Sequence, residues 1–363
     1  MMSPKQRWLA ALDLEPVDRL PFWPKLDGAY ARAQRPPFDA LSLPELHAWL
    51  GSDPWEWTGS GLREARATTG CEVVRTGDTQ RTIFRTPHGE RELVCRFDPA
   101  SQSWHPVAFP VRTRADLTAM AAWYDDLRCE VDPAAAAQAR ERYEGYGDRA
   151  MVAAGLGTTP LMHFLEWEAG IDGGQYLLHD APDEVEALFA AAQRALLRRA
   201  EIVLATSPAD LFFLVENTST TLLSPAQYRR WGLAQVGAVA ALAVAHGKRL
   251  ALHMCGHLRA LLPDLATLPA AAYEAFTSPT LGNTTLLDGR TQCPRVCLIG
   301  GTNATLWLQP AERIIAGLAA ALAPLPHHRG LVLTSAGVMP PACPPETIRA
   351  VGDWVRAYPA RMG

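Results

Sequence analysis

Arg249-Leu-Ala-Leu-His253-Met-Cys255-Gly256-His257 sets an apolar, strand-forming run before a histidine and a cysteine, and a glycine then breaks the strand. Side chains alternate faces along a strand, so His253 and Cys255 project to the same side. An imidazole and a thiolate held two residues apart on one rigid strand make two corners of a tetrahedral zinc site. So short a spacing also arises by chance, and the alternative is a core cysteine beside a satisfied histidine. Position favours the metal reading: a buried strand, a glycine, then the helix-patterned Leu258 to Leu268. In an α/β barrel the C-terminal strand ends carry the chemistry.

Outward from this stretch, strand and helix patterns alternate. Strands are expected at Ala150–Gly155, Leu211–Val215, Ala272–Phe276, Val296–Gly300 and Leu331–Thr334. Helices are expected at Pro182–Ala205, Ser224–His246, Pro310–Leu322 and Pro345–Tyr358. Such alternation argues for a parallel sheet. A first strand fits Leu20–Leu26, although Pro21 and Pro24 restrict it to a short piece, and an eighth fits the region of Trp55. The expected fold is therefore a (β/α)₈ TIM barrel, α/β in class, with an N-terminal extension that includes a helix over Pro4–Leu14. Residues 71–111 differ in character, with β-rich runs parted by Thr76-Gly77-Asp78, Pro87-His-Gly89 and Asp98-Pro99. These turn signals predict an antiparallel β-hairpin insertion within a single 1–363 barrel domain. Thr113 with Asp116 three residues on marks the start of a helix to Leu127.

The 363 residues are 48% hydrophobic, enough for one large core, and the net charge is −4. That balance argues against a nucleic-acid partner or an anionic membrane surface. No apolar run reaches the roughly 18 residues a bilayer span requires, and the N-terminus lacks a signal-peptide core. Seven irregularly spaced cysteines suit a reducing cytoplasm rather than a disulfide framework. No G-x-G-x-x-G or Walker pattern follows a strand, which removes the usual nucleotide folds.

Polar residues gather where strands end: Lys25 and Asp27, Gly155 and Thr158, Glu216 and Asn217, Glu274, Gly300-Gly-Thr-Asn303 and Ser335. Glu216 and Glu274 stand among apolar residues, where a carboxylate needs a partner, and a metal is one such partner. Candidate metal ligands are His253, Cys255, Glu274 and Cys343, the last in the loop after the final strand. Glu216 and Asp27 are the candidate acid/base residues. Lys25, Tyr30, Asn217 and Asn303 are the candidate substrate-binding residues. Cys297, between Val296 and Leu298, reads as core.

Several blocks resemble the uroporphyrinogen decarboxylase superfamily. They are Arg7-Trp-Leu-Ala-Ala-Leu-Asp-Leu-Glu-Pro-Val-Asp-Arg19-Leu-Pro-Phe-Trp23, Leu223-Ser-Pro-Ala-Gln-Tyr228-Arg-Arg-Trp231, His253-Met-Cys-Gly-His-Leu, Val296-Cys-Leu-Ile-Gly-Gly301 and Pro340-Pro-Ala-Cys-Pro-Pro-Glu-Thr-Ile348. They span nearly the whole chain in order, and the resemblance implies a (β/α)₈ barrel. His-x-Cys-Gly looks like the cobamide-dependent methyltransferase branch, in which zinc activates a thiol acceptor. Two departures matter. The decarboxylases' Arg-Gln-Ala-Gly-Arg segment is here Pro24-Lys-Leu-Asp-Gly-Ala-Tyr30, which argues against tetrapyrrole decarboxylation. The methyltransferases' Gly-Cys-Gly after the last strand is here Ser335-Ala-Gly-Val338, so Cys343 substitutes, or Glu274 completes the site, or the metal is absent.

The resemblance thus implies a zinc-dependent methyltransferase that moves a methyl group between a corrinoid (cobamide) and a thiol or similar acceptor. No corrinoid domain is visible in the sequence, so a separate corrinoid protein is the implied partner, and a homodimer is compatible with it. The rival enzyme reading is a decarboxylase-like lyase that works without metal through Asp27 and Glu216. A non-catalytic barrel that only binds a ligand is a second rival.

Overall fold

The computed structural model describes residues 1–363. In chain order, β1 (Phe22–Trp23) and β2 (Trp55–Trp57) belong to the principal sheet. β3 (Leu62–Ala65) pairs with β8 (Arg128–Val131), and β4 (Gly70–Thr76), β5 (Thr79–Thr86), β6 (Gly89–Asp98) and β7 (Ser103–Ala108) form a four-stranded antiparallel sheet. β9 (Met151–Thr158), β10 (Leu211–Val215), β11 (Leu250–His253), β12 (Ala272–Phe276), β13 (Cys297–Gly301) and β14 (Leu331–Thr334) complete the principal sheet. Its eight strands are parallel and run in the order β1-β14-β13-β12-β11-β10-β9-β2, the nearly closed barrel of a (β/α)₈ fold. The strand near Trp55 is present, and the antiparallel sheet lies between the second and third staves, where the turn signals put it. No helix is long and apolar enough to cross a membrane.

Strands buried on both faces require near-continuous apolar runs, and β10 to β14 supply them. Inward residues Trp23, Trp55, Met151, Phe213, Ala251, Ala272, Ile299 and Val332 fill the barrel. Outward residues Phe212, Leu250, Leu252, Leu298 and Leu333 join the helices in the largest core cluster. Cys297 is an interior core residue, as its apolar flanks indicate. The amphipathic helix Pro4–Leu12 seals the N-terminal end, with Trp8 edge-on to both Trp23 and Trp55 at 5.7 Å.

Two helices differ from the sequence pattern. Ser224–His246 is two helices, Pro225–Trp231 and Leu233–Ala245, joined at Gly232. A Cβ at Gly232 would lie 2.9 Å from Leu161 and from the Tyr228 ring, so the chain is pressed too closely there for any side chain. Leu258–Leu268 is reduced to the short turns Arg259–Leu261 and Leu262–Leu265. Pro263 fits only a first helical turn, so the regular helix has little room before the next strand.

β1 and β2 face each other across the seam without a ladder, and a buried carboxylate closes it. The Asp53 N–H donates to the Phe22 carbonyl at 2.8 Å, and the Phe22 N–H donates back to Asp53 Oδ2 at 3.0 Å. Arg7 and Arg19 both reach the same carboxylate, and the Trp8 indole N–H donates to the Asp53 carbonyl. Removing the charge leaves Arg7, only 2% exposed, with Asp18 as its one remaining counterion, and takes from Arg19 the carboxylate it pairs with. Asp53→Asn is therefore expected to cost about 3–5 kcal/mol, as for other broken buried pairs. Urea unfolding measures this, and a loss below about 1 kcal/mol would mean that packing alone closes the seam.

Candidate functional site

The site is built where β10, β11 and β12 end. Parallel register places His253 beside Glu274 on one side and Val215 on the other. Immediately after Glu274 the register shifts, and Ala275 takes a left-handed φ of 58°. Bulges of this kind re-aim side chains near active sites, and an alanine there stores strain. Glu274 is completely buried. Lys25 Nζ reaches its Oε1 at 2.9 Å, and His253 Nδ1 contacts its Oε2. Burial opposes ionisation, but Lys25 and His253 outweigh it and hold the Glu274 carboxyl down at about 2. Burial likewise opposes the imidazolium, yet Glu274 and the adjacent Cys255 thiol raise His253 to about 9, with Lys25 working against them.

Cys255 is exposed beside this pair, and its thiol donates to Asn217 Oδ1 at 3.2 Å. The Asn217 amide in turn donates to Glu166 Oε1 at 2.7 Å. Burial raises the Glu166 carboxyl, while Asn217, Trp167 and His253 oppose the rise. Gly256 lets the chain turn away after Cys255, because a Cβ there would meet Ser219 at 2.6 Å. The result is a row of polar groups across the barrel mouth: Lys25, Glu274, His253, Cys255, Asn217 and Glu166.

Other sequence candidates stand elsewhere or are engaged in holding the backbone. The Asp27 carboxylate accepts the Tyr30 N–H at 2.7 Å and caps the helix Gly28–Arg32. The Tyr30 hydroxyl is buried and donates to the Cys343 carbonyl at 2.8 Å. Asn303 caps the turn Ala304–Leu308 and donates to the Pro279 carbonyl. Glu216 is buried and enclosed by the hydroxyls of Thr159 and Thr218. Burial pushes its carboxyl up to about 7 despite those two donors. Cys343 lies in the large core, its thiol pushed up to about 12 by burial. At the place of the absent Gly-Cys-Gly thiol, the Ser335 hydroxyl donates locally to the Gly337 carbonyl at 2.6 Å.

A catalytic zinc takes three protein donors and leaves one position open. Here Glu274 gives one oxygen to Lys25 and the other to His253, Cys343 is sealed away, and no three His, Cys, Asp or Glu side chains are arranged to hold a metal ion. As arranged, the residues do not fit a resident tetrahedral ion. The Lys25 ammonium supplies the positive charge that Glu274 requires. Sequence reasoning missed Glu166; its only signal was a carboxylate among apolar and aromatic neighbours in Phe164-Leu-Glu-Trp-Glu168. That segment is a π-helical turn, a conformation that recurs at functional sites.

The sequence profile of the uroporphyrinogen decarboxylase (URO-D) family matches residues 168–358. Among solved structures, a methyltransferase from Methanosarcina mazei is similar over 98% of this chain and 99% of that chain, with a TM-score of 0.61 and 18% identity. No curated protein matches at a significant level.

The charge network predicts a pH signature. His253 is raised from 6.5 to about 9, so its share of stability is complete below 6.5 and is lost as pH rises through about 9. Glu274 is lowered from 4.5 to about 2, so its share is complete above 4.5 and is lost as pH falls through about 2. The difference in melting temperature between wild type and Glu274→Gln is therefore expected to be widest between pH 4.5 and 6.5 and to narrow towards 9. A difference that does not change with pH would mean His253 is neutral in the folded chain.

Proposed function

This chain belongs to the uroporphyrinogen decarboxylase family, and from that premise we propose that it is a methyltransferase, moving a methyl group between a corrinoid on a separate partner protein and a small thiol or similar acceptor. The observation that carries this reading is the buried Glu274 with Lys25 and His253 upon it, beside the exposed Cys255. Lys25 and His253 set two cationic groups against the one buried carboxylate of Glu274, and the Glu166 carboxyl stands at the far end of the row beyond Asn217. A thiol seated there loses its proton to solvent more readily, because neighbouring cations stabilise the thiolate. A methylated corrinoid on the partner would supply the methyl group as an electrophile, its metal–carbon bond breaking with the electron pair left on the corrinoid as the acceptor's sulfur–carbon bond forms. Lys25 and His253 hold the acceptor sulfur as an anion, Asn217 fixes the direction of the Cys255 thiol, and in the reverse direction His253 returns a proton to the departing thiolate. The fold likeness to a methyltransferase supports the same reaction class.

The lyase reading draws less support, since Asp27 serves as a helix cap and Glu216 lies beneath two hydroxyls.

Free methylcob(III)alamin and a panel of small thiols test the proposal, with S-methylated product followed by mass spectrometry. Wild type is expected to methylate at least one thiol. His253→Ala and Lys25→Ala are expected to lose about 10²-fold or more in rate, the usual worth of a positioned acid or base. The rate is expected to fall above about pH 9, where His253 loses its proton, although free thiolate increases there. Metal analysis of wild type and His253→Ala is expected to find no stoichiometric zinc. A folded wild type inert towards every thiol would overturn the proposal, and one zinc per chain that disappears in His253→Ala would restore a metal to the site.

A further inference from the structure

A second cavity, of about 380 Å³, lies between the end of β9, the antiparallel sheet and the helices Arg114–Asp125 and Pro182–Thr206. It contains none of Lys25, His253, Cys255 or Glu274. Its wall holds a half-buried cation that the protein leaves poorly matched. The Arg66 guanidinium lies over the Trp123 ring, 3.6 Å from its centroid, with its side chain 15% exposed. The nearest carboxylate oxygen, on Glu64, is 3.9 Å away, and Glu64 is drawn instead to Arg199 at 2.8 Å. Asp126 turns one oxygen, Oδ2, to the N–H groups of residues 67–69 and makes no ion pair with Arg66. Arg66 Nε is buried without a hydrogen-bond partner. A guanidinium in this position has only a long ion pair, shared with Arg199, and its fixed fork suits a planar carboxylate.

The remaining walls define what accompanies that carboxylate. Phe84 and Trp123 meet edge to face at 5.1 Å, and Leu93, Met120 and Leu196 add apolar surface. At the polar side the Tyr124 hydroxyl donates to the buried Glu168 at 2.5 Å. Burial lifts Glu168 to about 7 and lowers His163 to about 4, so His163 lines the cavity as a neutral imidazole. A volume of this size is at the low end for ligand sites and accommodates about one ring with its substituents. We propose that this cavity binds a small planar carboxylic acid with an aromatic body, its carboxylate on Arg66 and its ring against the apolar wall. The site is separate from the methyl-transfer centre, and Trp167 lies between it and the cleft that Glu166 and Asn217 line.

Calorimetric titration of the full chain with benzoate and with its neutral isostere benzamide tests this. Benzoate is expected to bind at least about tenfold more tightly than benzamide, the discrimination expected of a charge-assisted pair. Arg66→Gln is expected to remove that preference and Arg66→Lys to keep part of it; should Arg66→Gln fail to fold, Arg66→Lys and Arg199→Gln carry the comparison. Cys255→Ser is expected to leave benzoate binding intact. Equal affinity for benzoate and benzamide, no benzoate binding by folded wild type, or loss of benzoate binding in Cys255→Ser would each overturn the assignment. None of these results bears on thiol methylation, so this proposal and the methyl-transfer reading fail separately.

Discussion

The shortest stave of the barrel is held in place by charge. β1 has two residues and only two paired positions with β14, because Pro21 and Pro24 flank it and prolines donate nothing to a ladder. On its other side no ladder reaches β2. Two buried carboxylates compensate, one at each end. Asp53 locks the start of β1 to the start of β2 and collects Arg7 and Arg19. Glu274 takes Lys25, two residues past the end of β1, and ties that loop to β12 across the barrel mouth. A carboxylate removed from water stays ionised only if cations come with it, so each acid dictates where basic residues must lie.

The same constraint shapes the chemistry. Glu274 is spent on structure through Lys25 and on electrostatics through His253, and it keeps the imidazole charged beside an exposed thiol. A group that closes the barrel thereby polarises the site. Asn217 and Glu166 continue the hydrogen-bonded row towards a cleft walled by β7 and by the π-helical turn Phe164–Glu168. The antiparallel sheet is thus more than an appendage: it contributes Phe84 and Leu93 to one cavity and Trp104 and His105 to the other. Insertion between the second and third staves places it over the mouth, where variable elements of such barrels define what binds.

The local pattern of the sequence determined the strands and most of the helices, since periodicity and turn chemistry are properties of neighbouring residues. It also brought His253 and Cys255 to one strand end, although β11 stops at His253 and Cys255 lies in the loop just after it, and it singled out Glu274 as a carboxylate in apolar surroundings. Tertiary structure alone decided what those residues do. Lys25 and Glu274 are 249 residues apart, and no spacing rule links them. Cys343 follows the last strand but folds inward to the core, Asp27 and Asn303 serve as caps, and the Tyr30 hydroxyl is used up on a carbonyl. Polar residues at strand ends are needed both to finish backbone hydrogen bonds and to act on ligands, and the sequence does not separate these uses. Only the packing of distant elements settles which polar groups are already satisfied, and the unsatisfied ones are left free to bind and react.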